Sequence, residues 1–157
     1  LPRLIARYPS VRFYIVGRSP SPQVRALAGT HVVVTGTVPD VRPYLQHASA
    51  VVAPLRVARG IQNKILEAMA MQQAVVTVNS CADAIGATPE QGLLRADTAE
   101  EFVAALQLLL DTPGNAAVLG RNARRYVEHE CSWQAHLKKI DAALASMNVM
   151  QAQGAGA

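Results

Sequence analysis

The chain has 157 residues, half of them apolar, which is enough for one globular domain with a sizeable core. No apolar run approaches the roughly 20 residues needed to span a bilayer, and Leu1-Pro2-Arg3-Leu4 lacks the regions of a signal peptide, so a cytoplasmic chain is expected. The net charge of +4 hides an asymmetry: residues 1–66 carry nine Lys or Arg against the single acid Asp40, while from Glu67 onward ten acids face six bases. That distribution points to an anionic partner at the front of the chain. Cys81 and Cys131 lie far apart and form no disulfide or metal pattern, and His31, His47, His129 and His136 show no ligand spacing.

In chain order, Pro2 to Tyr8 reads as the end of a helix, broken at Pro9-Ser10. Val11 to Val16 follows as a mostly apolar strand closed by Gly17, of the near-continuous kind that suits a parallel sheet covered on both faces. Ser21 is an N-cap and Pro22 a first helical residue for a helix through Ala28. His31 to Thr35 is the next strand, and Asp40 caps a short helix with Pro43 in its first turn. Ala50 to Pro54 is a third strand, Asn63 to Met71 a helix, and Ala74 to Val78 a fourth strand. Residues 79–91 are small and polar and read as a loop, and Gly92 to Arg95 as a short strand. Thr98 and Glu101 form a capping box for a helix from Ala99 to Leu110. Helices over 115–129 and from Ser132 to Met147 follow, the latter with an apolar face of Trp133, Leu137, Ile140, Leu144 and Met147. Strands alternating with helices predict βαβ units and a doubly wound parallel sheet.

In such a sheet the carboxyl ends of the strands form the ligand edge. There Gly17 lets a backbone approach a phosphate and Arg18 brings a planar fork to clamp one; a glycine after a strand also has a plain structural reading. No G-x-G-x-x-G fingerprint and no Walker lysine motif is present, which argues against a dinucleotide oxidoreductase or P-loop enzyme. Asn63 and Lys64 open a helix, where backbone N–H groups and an ammonium meet anions. Glu67 has the apolar neighbours Ile65, Leu66, Ala68, Met69 and Ala70, so burial on nearly every side is expected. A buried carboxylate needs partners, either Lys64 or Arg59, or the two hydroxyls of a ribose. Arg121, Arg124 and Arg125 read as a solvated face more readily than as a nucleic-acid surface, because aromatics are only 4% of the chain.

Five blocks in order carry a resemblance: Phe13-Tyr14-Ile15-Val16-Gly17, Val34-Thr35-Gly36-Thr37-Val38, Asp40 to Leu45, Val52-Ala53-Pro54-Leu55, and Asn63 to Ala70. Together they resemble the C-terminal, donor-binding domain of a family-4 retaining glycosyltransferase, most closely the sugar transferases of bacterial exopolysaccharide and PEP-CTERM systems, with Ala58 to Lys64 the most specific piece. The resemblance implies a Rossmann-like half of a two-domain GT-B enzyme over residues 1–147, a nucleoside diphosphate sugar as donor, a saccharide or lipid-linked acceptor, and no metal cofactor; the tail over 148–157 is expected to be disordered because its Gln, Gly and Ala residues cannot bury enough surface. It further implies an inner-membrane-peripheral cytoplasmic location for the full-length protein. Gly17 and Arg18 would then meet the diphosphate, Val38 the base through its backbone, Gln62, Asn63 and Lys64 the phosphate end, and Glu67 the ribose. The family shows a Glu, seven residues, and a second Glu; the second falls on Glu67, but the first falls on Arg59, a departure at the catalytic position. Also missing are the family's first strand, which belongs between Val11–Val16 and Ala50–Pro54, and an N-terminal acceptor domain. The chain alone is therefore expected to be inactive, and a non-catalytic nucleotide-binding module is the alternative.

Overall fold

A computed structural model describes residues 1–55, 57, 60–135, 137–138 and 140–141. Helix α1 (Pro2–Arg7) is followed by β1 (Phe13–Val16), α2 (Pro22–Arg25), β2 (Val32–Gly36), α3 (Arg42–Gln46), β3 (Val51–Ala53), α4 (Asn63–Ala70), β4 (Val75–Thr77), α5 (Asn79–Ile85), β5 (Leu93–Arg95), α6 (Ala99–Asp111) and α7 (Pro113–Glu130). All ladders are parallel, as the βαβ reading requires. Among the described residues the strands form two sheets, β1-β2 and β3-β4-β5, with no ladder joining β1 to β3. The break falls where a strand order of 3-2-1-4-5-6 places one more parallel strand.

The second sheet is covered on both faces, and the period of two in its strands decides which side chain goes where. Val75 and Leu93 point to one face, where they meet Ile65, Ala68 and Met69 of α4, Cys81, Ala82 and Ile85 of α5, and Ala123 of α7. Val76 and Leu94 point to the other, against Leu109, Phe102 and Leu106 of α6 and Leu119 of α7. Val75, Val76 and Leu93 are fully buried, and each stabilises the fold by about 1.5–3 kcal/mol relative to exposure. The one polar side chain among these buried strand residues, Thr77, donates its hydroxyl to the Ala53 carbonyl oxygen on β3 at 3.0 Å, which removes the cost of hiding it.

Residues 79–91 are a correction: they contain a seven-residue helix and a 3₁₀ turn (Pro89–Gln91) where a loop is expected. Cys81, Ala82 and Ile85 lie at helical spacing, and burying them against β4 and β5 outweighs the weak intrinsic preference of Asn79-Ser80 and Asp83. Gly86 closes α5 in the left-handed conformation. Helix α7 crosses back at 106° to α6 and lies against the α4–β4 turn so closely that a Cβ on Gly120 would run into the Gln72 carbonyl oxygen. On the same helix the backbone of Leu119 leaves no room for a side chain at Gly92.

Local capping follows the sequence closely. Ser21 accepts from Val24 N–H at 3.3 Å, and the Thr98–Glu101 capping box is complete. Helix α2 stops at Arg25, short of the expected Ala28. The expected Asp40 cap is a correction: the N-cap of α3 is Val41, with no side-chain cap bond, and Asp40 one residue earlier accepts from the Arg42 backbone N–H at 2.9 Å. Helix α1 is tied to α6 by Arg3–Glu100 at 3.0 Å, Arg7–Asp111 at 2.7 Å and Tyr8 donating to Asp111 at 2.6 Å. Two of the front arginines are thus matched by acids from the back of the chain. Trp133, Leu137 and Ile140 stand exposed, Trp133 at 81%, while residues 142–147 of the expected last helix lie outside the described residues. The expected tail over 148–157 lies outside the described residues.

Candidate functional site

The candidate residues fall into two groups at strand carboxyl ends. The first follows β1 and β2. Gly17 and Arg18 lie directly after β1, both exposed, and nothing within 4 Å would meet a Cβ at Gly17, so the backbone is open to a ligand. Val38 follows β2 and is half-buried. Beside it the Arg42 side chain, aided by its backbone N–H, holds the Asp40 carboxyl below the usual carboxylate range.

The second group is the start of α4, reached from β3 through the loop at Leu55. Gln62 is the N-cap residue; its side-chain amide donates to the Gly60 carbonyl oxygen at 3.3 Å and makes no cap bond. Among the described residues no acceptor meets the backbone N–H groups of Asn63 and Lys64, which are among the first N–H groups of the helix and have no partner within it. Arg59, the anomalous position, lies outside the described residues.

Glu67 corrects an expectation. It is exposed, not buried. At 100° per residue, α4 sends Ile65, Ala68 and Met69 into the core and leaves Asn63, Lys64 and Glu67 on the opposite face, at the i, i+3 and i+4 spacings that make neighbours on a helix. Leu66 and Ala70, counted as burying neighbours in the sequence, sit half-buried on the flanks. Glu67 makes no ion pair with Lys64 within 4.0 Å. Being exposed, Glu67 has no burial cost for a ligand to offset; it is instead a carboxylate accessible to one, a helical turn from the start of α4.

Two features were not singled out from the sequence. A cleft of about 450 Å³ lies at the carboxyl end of the first sheet, between the turn after β1 and the end of β2, with Arg25 on its wall. Arg25 donates its Nε–H to the Pro20 carbonyl oxygen at 3.0 Å. At the second sheet, Asn79 and Asp97 join the ends of β4 and β5, the Asn79 backbone N–H donating to Asp97 at 2.9 Å. Neither had a signal in one dimension, because both depend on segments that only the sheet brings together. Among the described residues no group of three or more His, Cys, Asp or Glu side chains could hold a metal.

A profile of the group 1 glycosyl transferases matches residues 1–112, more than half of the chain. The chain belongs to that family. Solved structures bear out the fold of this glycosyl transferase domain. Sucrose-phosphate synthase from Thermosynechococcus elongatus superposes with a TM-score of 0.73 at 22% identity, covering 94% of this chain and 41% of its own. TarM superposes with a TM-score of 0.75 at 18% identity, covering 87% of this chain and 29% of its own. Both place this domain in the Rossmann-like α/β class of GT-B glycosyltransferases, and both are less than half spanned by it. No curated protein matches the sequence.

Proposed function

We propose that this chain is the donor-binding half of a family-4 retaining glycosyltransferase of exopolysaccharide synthesis, moving a hexosyl group from a nucleoside diphosphate sugar to a saccharide or lipid-linked acceptor without a metal. The observation that carries this reading is the exposed face of α4, where the Lys64 ammonium and the Glu67 carboxylate stand one turn apart at a helix start whose Asn63 and Lys64 N–H groups meet no acceptor among the described residues. Glu67 accepts from the ribose hydroxyls; Gln62, Asn63 and Lys64 hold the phosphate end; Gly17 and Arg18 approach the diphosphate; and Val38 meets the base. The chemical contribution is electrostatic: fixed donors and cations stabilise the charge building on the departing diphosphate. Arg59 replaces the family's first Glu and, on this reading, meets phosphate or an anionic sugar. The enzyme works in the cytoplasm at the inner membrane, with an acceptor domain and a strand between β1 and β3 supplied from outside residues 1–157.

A second reading, a nucleotide-binding module that does not turn over, is favoured by the break between the two sheets and by Arg59. Titration of UDP and GDP against folded wild type and Glu67→Ala tests the donor reading. Nucleotide binding that drops on the order of tenfold in the variant is expected, as for loss of a charged hydrogen-bond acceptor. Absence of binding to the wild type would sink it. Residues 1–157 alone are expected to transfer no sugar; measurable transfer by the purified chain defeats that part.

A further inference from the structure

The front half of the chain carries more cations than its own contacts use. Arg3 and Arg7 are paired with α6, and Arg42 with Asp40. Among the described residues no carboxylate pairs with Arg25, yet this arginine lines the cleft at the end of β2 together with Ser19, Val34, Thr35, Gly36 and Thr37. The cleft begins one residue after Arg18 and ends one residue before Val38, so on the donor reading it lies between the residues given to the diphosphate and to the base.

We propose that this cleft reads the base of the donor and that the base is guanine. The inference rests on the donor-binding function proposed above. Arg25 donates Nε–H to the Pro20 carbonyl oxygen, which holds the guanidinium plane, and among the described residues its two Nη groups pair with no carboxylate and so offer a fork to a ligand. Guanine offers two adjacent acceptors, O6 and N7, to such a fork. Adenine sets its N6 donor beside N7 and would meet the fork with like against like, and uracil presents its O4 without a neighbouring acceptor on that edge. The Thr35 hydroxyl donates to the Gly36 carbonyl oxygen at 3.0 Å, so its remaining lone pairs are acceptors, suited to the N1–H and N2–H donors that guanine carries. Val34 gives the cleft an apolar wall for the ring.

The test is calorimetric titration of GDP, UDP and ADP, at one salt concentration, into wild type and Arg25→Lys, with unfolding temperatures recorded to show that both are folded. The wild type is expected to bind GDP on the order of tenfold tighter than UDP or ADP, the discrimination typical of one arginine–guanine fork. Arg25→Lys keeps the charge but loses the fork, and is expected to erase the preference. UDP or ADP bound as tightly as GDP by the wild type overturns the guanine assignment and leaves the donor reading standing. A GDP preference that survives in Arg25→Lys overturns the role of the cleft. Failure of the folded wild type to bind any of the three overturns both this assignment and the donor reading.

Discussion

The two sheets are built from similar residues and end up in different environments. β2 reads Val32-Val33-Val34 and β4 reads Val75-Val76, yet the β4 residues are fully buried and every residue of β2 is only half-buried. In β1, Tyr14 is 47% exposed and packs its ring at 6.1 Å from that of Tyr44. The difference lies in what surrounds each strand. β4 has a hydrogen-bonded neighbour on both sides and helices on both faces, whereas β1 and β2 have only each other. Strand composition states a capacity for burial; neighbours decide how much of it is used. The weaker sheet is also the one that carries Gly17, Arg18, Val38 and the Arg25 cleft, so half of the candidate site rests on the less secured part of the domain.

The largest expected effect comes from breaking the cover of the second sheet. Gly120→Val would drive a side chain into the Gln72 carbonyl oxygen, which is backbone and cannot swing away. A loss of about 3 kcal/mol or more is expected in urea unfolding, with α7 displaced from α4. A cost near zero would mean that α7 does not dock as described. Next, the same chemical change in both sheets sharpens the contrast. Val75→Ala should cost about 2 kcal/mol, because the side chain is fully buried. Val33→Ala, at a half-buried site, should cost about 1 kcal/mol or less. Equal losses would erase the distinction between the sheets.

The smallest effect is the acid dependence. Backbone N–H groups of Asp97 and Thr98 hold the Glu101 carboxyl below its usual range, and Arg42 does the same for Asp40. Both folded pKa values are depressed, so the unfolded chain takes up protons first as pH falls. The stability these groups contribute is complete above the unfolded carboxyl range near pH 4 and is lost as pH drops through the folded values. Both carboxyls are exposed, so the effect is a shallow fall in unfolding temperature below about pH 4. Glu101→Gln should flatten part of it; an unchanged profile would show that this cap, at the second sheet's α6, does not titrate as described.

Much of this architecture was legible in one dimension because it is local. Ser21, Thr98 and Glu101 announce helix starts through hydrogen bonds spanning three residues. Apolar runs such as Val75-Val76 announce strands, and their alternation with helices forces parallel pairing. The blocks around Gly17, Val38 and Asn63–Glu67 were found as sequence patterns. Residues 79–91 were not legible, because α5 exists through the burial of Cys81, Ala82 and Ile85 against strands elsewhere in the chain.

The sequence by itself thus determined the class of fold, the order of its strands and which residues lie at strand ends, since periodicity, caps and turn residues act over a few positions. Only the tertiary structure decided that Glu67 faces solvent, that the strands divide into a covered sheet and an open pair, and that Arg25 lines a cleft with Thr35. These are matters of which surfaces meet. For Glu67 the phase of α4 against β4 and β5 is what counts, and five apolar neighbours in sequence cannot reveal which of them turn toward the core.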